Sequence, residues 1–314
     1  DGDGNYDPTQ GDYPYYDIDN SLCKSQTPTM DAQYYHPDDP DNWKYGILAD
    51  QVIKGDETLW WVFNDKGDVH TETSGAAIGM EIRAQSFGFA TNDEINNMTF
   101  YSYEIINRST FRLTQTYFSQ WVDTDLGYAW DDYVGCDIER GLGYCYNGVS
   151  IDGSGEVEAY GEQPPAIGVD FFQGPYMDPD TSDNPSYKGD GINGPSFFED
   201  CNIVGFNGTE IFMTYGENNE KSGTFKVRSE AINGINFGDG IVDNERFGMR
   251  RFVYHNNTSA NPNTTDPQDA PEYYNYLRGI WKDNTKMVYG GTAHESDDNA
   301  VGPETDFMFP GDTD

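Results

Sequence analysis

Apolar positions along this chain come in short runs, and within the runs they alternate with a period of two. Residues 57–65, ETLWWVFND, form an aromatic and β-branched run that ends in the turn-like NDKGD. Residues 76–91, AAIGMEIRAQSFGFAT, set Ile78, Met80, Ile82, Ala84 and Ser86 against polar or small neighbours. Alternation of this kind puts one set of side chains on one face of a pleated strand, so both stretches are predicted as strands. MTFYSYEIINRST and FRLTQTYFSQWVD, separated by NRST, predict a long antiparallel hairpin whose second strand delivers Trp121. Further strands are predicted at AIGVDFFQG, EIFMTYG, GTFKVRSEA and RRFVYHN.

Only DPQDAPEYYNYLRGIWKD carries a helical period, with Asp266 or Asp269 as N-cap, Pro271 in the first turn, and Tyr273, Tyr276, Leu277, Ile280 and Trp281 at helical spacing. The pattern predicts one short helix near residues 267–282, laid over the sheet as a cover. Strands joined by Gly, Asn and Asp turns, without helices between them, predict a mainly β fold: an antiparallel β-sandwich of jelly-roll type with long loops. Residues 1–45 read as an extended Asp/Pro/Tyr-rich segment ahead of a domain at 46–314, with a possible subdivision near 235.

Charge changes the picture. The chain of 314 residues holds 55 acidic and 18 basic residues, a formal net charge of −37, and Asp outnumbers Glu by 37 to 18. That balance excludes a nucleic-acid partner, whose phosphates need clustered Lys and Arg. It disfavours anionic membrane surfaces, and no apolar run reaches the ~20 residues of a membrane span. Short Asp side chains in Gly/Asn loops are what rigid oxygen cages for Ca²⁺ require, since the ion takes about six to eight oxygens. A merely soluble acidic surface would use Glu as freely.

The loops nominate ligands. DGDGNYDPTQGD places Asp1, Asp3, Asn5 and Asp12 at the first, third, fifth and twelfth positions of a calcium loop. Tyr6 stands where an EF-hand has Gly, so the stretch resembles instead the Asp/Gly/Asn calcium repeats of thrombospondin type 3 modules; a solvated linker is the alternative. In WVDTDLGYAWDDYVGCDIERGLGYC, strand alternation puts Asp123 and Asp125 on one face, and Gly127 lets Asp131 or Asp132 fold back toward them. Paired carboxylates also serve glycosidases, which is the competing reading of this stretch. MDPDTSDNPSYKGDG holds Asp178, Asp180, Asp183 and Asp190, and NFGDGIVDNERF holds Asp239, Asp243 and Glu245; the first two of these three and the four before them complete the set of expected Ca²⁺ ligands, for several ions. Either loop could equally be an Asx-turn loop.

Cys136 and Cys145 could form a local disulfide in an oxidising compartment, or remain two buried thiols. No GxSxG elbow, HExxH helix or phosphate loop is present, and His36, His70, His255 and His294 stand far apart, each with a lone surface position as its default. No catalytic residue is nominated.

Several long stretches, among them GMEIRAQSFGFATNDEINNMTFYSYEIINRST, DDYVGCDIERGLGYCYNG, FGMRRFVYHNN and YYNYLRGIWKD, resemble a large family of secreted Bacteroidetes surface proteins. The resemblance runs over most of residues 50–314. It implies export by the type IX secretion system through a C-terminal sorting domain outside this chain, a cell-surface or released location, and a longer multidomain parent; it implies no catalytic residue. The ends of the chain, inside an Asp/Gly motif and at PGDTD, fit a piece of such a parent. The expectation is a non-enzymatic, calcium-stabilised extracellular module, structural or adhesive. Its partners would be other domains of the parent, neighbouring subunits or surface glycans. A carbohydrate-binding or polysaccharide-degrading domain and a subunit of an extracellular filament are the alternatives.

Overall fold

The computed structural model describes residues 54–185, the backbone of strands at 201–206, 210–215 and 221–226, and residues 234–300, 302 and 304–310. The chain divides into two compact units, one ending at Thr114 and the other starting at Gln115.

In the first unit β1 (Glu57–Asn64), β2 (Met80–Gly88) and β3 (Thr99–Asn107) form an antiparallel sheet with β2 central. The alternation read from the sequence sets its faces. One face carries the cross-strand rows Leu59, Ser86, Tyr101; Trp61, Ala84, Tyr103; and Phe63, Ile82, Ile105. On the other, Phe87 and Phe100 stack at 5.4 Å and Arg83 reaches Glu104 across the strands at 3.2 Å.

Asp65 closes the long connection between β1 and β2. Its carboxylate accepts the N–H groups of Ile78, Gly79 and Met80, the last at 2.8 Å, so one side chain caps three backbone donors at the start of β2.

The second unit is built from β4 (Asp132–Asp137), β5 (Leu142–Asn147), β6 (Ile151–Asp152), β7 (Gly161–Glu162), β8 (Ala166–Asp170), β9 (Cys201–Phe206), β10 (Glu210–Tyr215) and β11 (Lys221–Lys226). β5 lies between β4 and β8, β6 pairs with β7, and β10 lies between β9 and β11, all antiparallel. The fold is mainly β, with antiparallel sheets and, among the described residues, one α-helix.

That helix, α1 (Ala270–Leu277), begins as the sequence predicts. Asp269 accepts from Glu272 N at 3.0 Å and Pro271 occupies the first turn. Instead of covering a sheet, its buried Tyr276 packs with Trp281, Met287, Ala293 and Met308, a core made largely of loops. A loop core survives burial only if its polar groups are paired. Trp281 Nε1 donates to Ala293 O at 2.8 Å, and the chain after Glu304 ties in through Met308 N to Phe252 O at 3.0 Å and Cys136 N to Phe309 O at 3.2 Å. Phe252 packs on this core and on a second one of Cys136, Ile138 and Phe307, joining the two.

Three sequence expectations change. FRLTQTYFSQWVD is not a strand: Asn107 Oδ1 turns the chain by accepting Ser109 N at 2.9 Å, β3 pairs with β2 instead, and Gln115 at φ 53 breaks the extended run where the chain passes between units. RRFVYHN forms only a single bridge, Phe252 to Phe307, since the backbone of Phe252 bonds to the chain near the C-terminus rather than to a ladder. The Cys136–Cys145 disulfide is not formed. Both cysteines are buried, and the register pairs Cys136 with Gly143 and Cys145 with Val134, a diagonal whose Cα separation of roughly 7–8 Å exceeds disulfide reach.

Burial works to raise the Asp65 carboxyl, but its three backbone donors outweigh this and hold its pKa below the usual carboxylate range. A carboxyl lowered by folding contributes stability that is complete above its unfolded pKa and is lost as pH falls through the folded one. Asp65→Asn is expected to lose about 1–3 kcal/mol in urea unfolding at neutral pH. The gap to the wild type should narrow as pH falls below the usual carboxylate range and through the lowered folded pKa, and a gap that stays constant with pH would contradict this role for the charge.

Candidate functional site

Four aspartates converge at the start of β4. A short 3-10 turn, Ala129–Asp131, leads into the strand, and the β6–β7 ribbon brings Asp152 alongside. Asp152 is 1 % exposed, accepting Tyr128 N at 3.0 Å and Tyr160 N at 2.5 Å. Asp131 Oδ2 accepts Gly153 N at 3.0 Å, and Asp132 Oδ2 accepts Leu126 N at 2.9 Å. Carboxylates thus cross-link four pieces of loop. Gly127 makes the approach possible: at φ 73, a Cβ there would stand 2.0 Å from Asp152 Oδ2.

The second oxygens of Asp131 and Asp132, both Oδ1, are buried without a hydrogen-bond partner. Burial raises the Asp132 pKa; the Leu126 N–H opposes this, and the neighbouring charges of Asp131, Asp152 and Asp125 raise it further. Burial likewise pushes up the Cys145 thiol beside the cluster, with Asp132 and Asp125 adding to it. The one arginine of this stretch, Arg140, pairs with the buried Asp137.

Of the residues the sequence nominates here, the structure brings Asp125, Asp131 and Asp132 within electrostatic reach of one another, while Asp123 is exposed and takes no part in these contacts. Asp152 was missed. The Asp-Gly pair in SIDGSG is the same local signal as in the nominated loops, but its proximity to Asp131 comes from strand pairing that no local pattern carries.

The loops at 178–184 and 236–245, read separately from the sequence, lie against each other. Asp243 Oδ1 accepts the N–H groups of Asp180 and Thr181 at 2.7 and 2.9 Å, and Asp183 accepts those of Gly238 and Gly240 at 2.8 and 2.7 Å. Asp239 and Asp180 turn inward on their own loops, accepting from Ile241 N and Ser182 N at 2.8 and 2.9 Å, and Asp178 is exposed. Asp1, Asp3, Asn5, Asp12 and Asp190 lie outside the described residues.

No group of three or more His, Cys, Asp or Glu side chains is arranged to hold a metal ion by itself among the described residues. The donors at β4 are hard oxygens, which suit Ca²⁺ with main-chain carbonyls and water completing the shell. The histidines differ from the surface default. His294 is 3 % exposed and bonds Asp283 and Ser296 at 2.9 and 2.8 Å, and His255 bonds Asp266 at 2.7 Å while stacking on Tyr276. His36 lies outside the described residues.

The first unit offers a different surface. Trp61, Tyr101 and Tyr103 share one sheet face and are 37, 58 and 45 % exposed, and the two tyrosine rings lie parallel at 6.5 Å with 7° between planes. Ala84 and Ser86, on the central strand between these rings, are buried.

Among the described residues, no helix is long and apolar enough to cross a membrane. Comparison with protein-family models, with curated proteins and with solved structures finds no match to this chain.

A raised carboxyl pKa makes the ionised form unfavourable in the fold, so its contribution to stability falls as pH rises from the unfolded pKa through the folded one. Asp132→Asn removes the charge and keeps an oxygen for Leu126 N–H. With chelator present at neutral pH, this variant is expected to melt at the same temperature as the wild type or a few degrees above it. A clear loss of Tm would mean that Asp132 is held by favourable contacts rather than by repulsion.

Proposed function

We propose that this chain is a calcium-stabilised, non-catalytic module of a larger extracellular surface protein, structural or adhesive in role, with its antiparallel sheets arranged as a sandwich and its long loops held by ions. The observation that carries the reading is the pair of buried, partnerless oxygens on the adjacent Asp131 and Asp132. Neighbouring carboxylates of like charge repel, and an unpaired buried charge costs several kcal/mol. Ca²⁺ neutralises both and completes the coordination that the protein leaves open. The acidic excess and the preference for Asp support the same reading, as does the millimolar calcium found at extracellular sites. Secretion by the type IX route and a multidomain parent rest on the sequence resemblance alone.

A second reading is supported by the first unit. Exposed aromatic rings on one sheet face, two of them parallel, stack on the apolar faces of sugar rings, so the Trp61, Tyr101, Tyr103 face suits a surface glycan. In glycan-array binding, the wild type should retain polysaccharides without hydrolysing them. Tyr101→Ala with Tyr103→Ala should lose about 1–3 kcal/mol of that affinity, taking stacking on nucleic-acid bases as the guide. Equal retention by both proteins would remove this reading and leave the calcium reading untouched.

Calcium itself is tested by thermal unfolding with EGTA and then with about 1 mM Ca²⁺. A ligand at a hundred times its Kd stabilises by about 2.7 kcal/mol, which in a unit of this size raises Tm by roughly 5–10 °C. The double substitution Asp131→Asn, Asp132→Asn should remove a measurable part of that rise. No rise in the wild type, or the full rise in the double variant, would overturn this assignment.

A further inference from the structure

Glu245 is 1 % exposed and is, among the described residues, one of the largest fully buried side chains. It joins the two interlocked loops: Oε1 accepts Asn184 N at 2.5 Å, and its backbone carbonyl accepts Met177 N at 2.9 Å. Its other oxygen, Oε2, is buried with no partner. Two further buried oxygens in the same loops are also unpartnered, Asn184 Oδ1 and Asn244 Oδ1.

The orientation of both amides is fixed by chemistry. Asn184 Nδ2 donates to Asp180 Oδ2 at 3.1 Å, and Asn244 Nδ2 donates to Asp239 Oδ2 at 3.0 Å. An ionised carboxylate only accepts, so the NH₂ of each amide must face it and the carbonyl oxygen must point away. Three buried acceptors therefore lack a donor, and all three are oxygens. Neither loop contains a Lys or Arg. Arg246, next in the chain, lies over the Tyr176 ring at 3.9 Å and donates to Gly174 O at 3.2 Å.

We propose that Glu245 Oε2, Asn184 Oδ1 and Asn244 Oδ1 bind a divalent oxygen-seeking cation of the Ca²⁺ type, which clasps the 178–184 loop to the 236–245 loop. One carboxylate with two amide oxygens is a hard-ligand set, and main-chain carbonyls and water provide the remaining positions about Ca²⁺. A lone water could donate to only two of the three oxygens and would leave the Glu245 charge buried without a counter-ion. This site shares no residue with the Asp125, Asp131, Asp132, Asp152 cluster and does not depend on that cluster binding calcium.

The test uses the full chain and CaCl₂ against EGTA. Isothermal titration should show one fewer Ca²⁺ bound per chain in Glu245→Gln than in the wild type, while Asp131→Asn with Asp132→Asn keeps this one. Native-state hydrogen exchange localises the effect and needs no variant. In the wild type, Ca²⁺ at a hundred times its Kd should slow exchange of the Asn184, Gly238 and Gly240 amides by up to about a hundredfold. Unchanged stoichiometry in a folded Glu245→Gln, or exchange at those amides that does not respond to Ca²⁺ in the wild type, would overturn the proposal. A calcium effect confined to Leu126, Tyr128 and Gly153 would overturn it too while leaving the first cluster intact.

Discussion

Carboxylates accepting backbone N–H bonds hold this protein together where sheets and helices do not. A backbone donor removed from water needs a partner, and in long irregular segments no ladder supplies one. Asp65 takes three such donors, and Asp152, Asp183 and Asp243 take two each. Asp suits the work because its short stem places two acceptors close to the chain, where an amide would offer one. Strands and α1 are short, yet the loop core around Trp281 is fully packed.

The same device carries a penalty in charge. Each capping carboxylate is negative, and the chain has 55 acids against 18 bases. Two carboxylates about 5 Å apart repel by about 3 kcal/mol at an effective dielectric constant of about 20. A charge-assisted hydrogen bond contributes about 1.5–3 kcal/mol. The two are comparable, so a capping carboxylate is stable alone, as Asp65 is, and becomes marginal beside others, as Asp132 is. The tension is greatest at β4, where four aspartates meet and the nearby arginine already pairs with Asp137.

How much of this was legible in the sequence follows from the range of each interaction. Strands β1, β2 and β3 were visible because alternation is local, and the N-cap of α1 because Asp269 and Pro271 lie within one turn of it. The β4–β5 hairpin was hidden. Its Gly135, Cys136 and Asp137 are all buried, so a stretch read as an acidic loop lacks the polar-out alternation of a half-exposed strand. The acidic loops were recognisable by composition, but their partners were not. Asn184 meets Glu245 across 61 residues and Asp180 meets Asp243 across 63, and no spacing rule spans such distances. Sequence nominated Asp131 and Asp132, which carry two of the unpartnered oxygens, but it passed over the buried Asp152 beside them and left the buried Glu245 out of the expected ligands.

The two proposed cation sites differ in a way that orders their properties. At β4 the open oxygens belong to two carboxylates with two more nearby, so ionisation of the site opposes itself and protons compete with any metal. Between the 178–184 and 236–245 loops a single carboxylate stands with two amides, which carry no charge and do not titrate. Ligand charge raises calcium affinity and couples it to pH, while amide ligands lower both. The β4 cluster should therefore be the tighter and more acid-sensitive site, and the loop clasp the weaker one, filled only where calcium is abundant. Both depend on side chains already held by hydrogen bonds, from backbone N–H groups at Asp131, Asp132 and Glu245 and to Asp180 and Asp239 at the two amides, so an ion arriving there meets a largely organised shell and little of its binding free energy goes into ordering the chain.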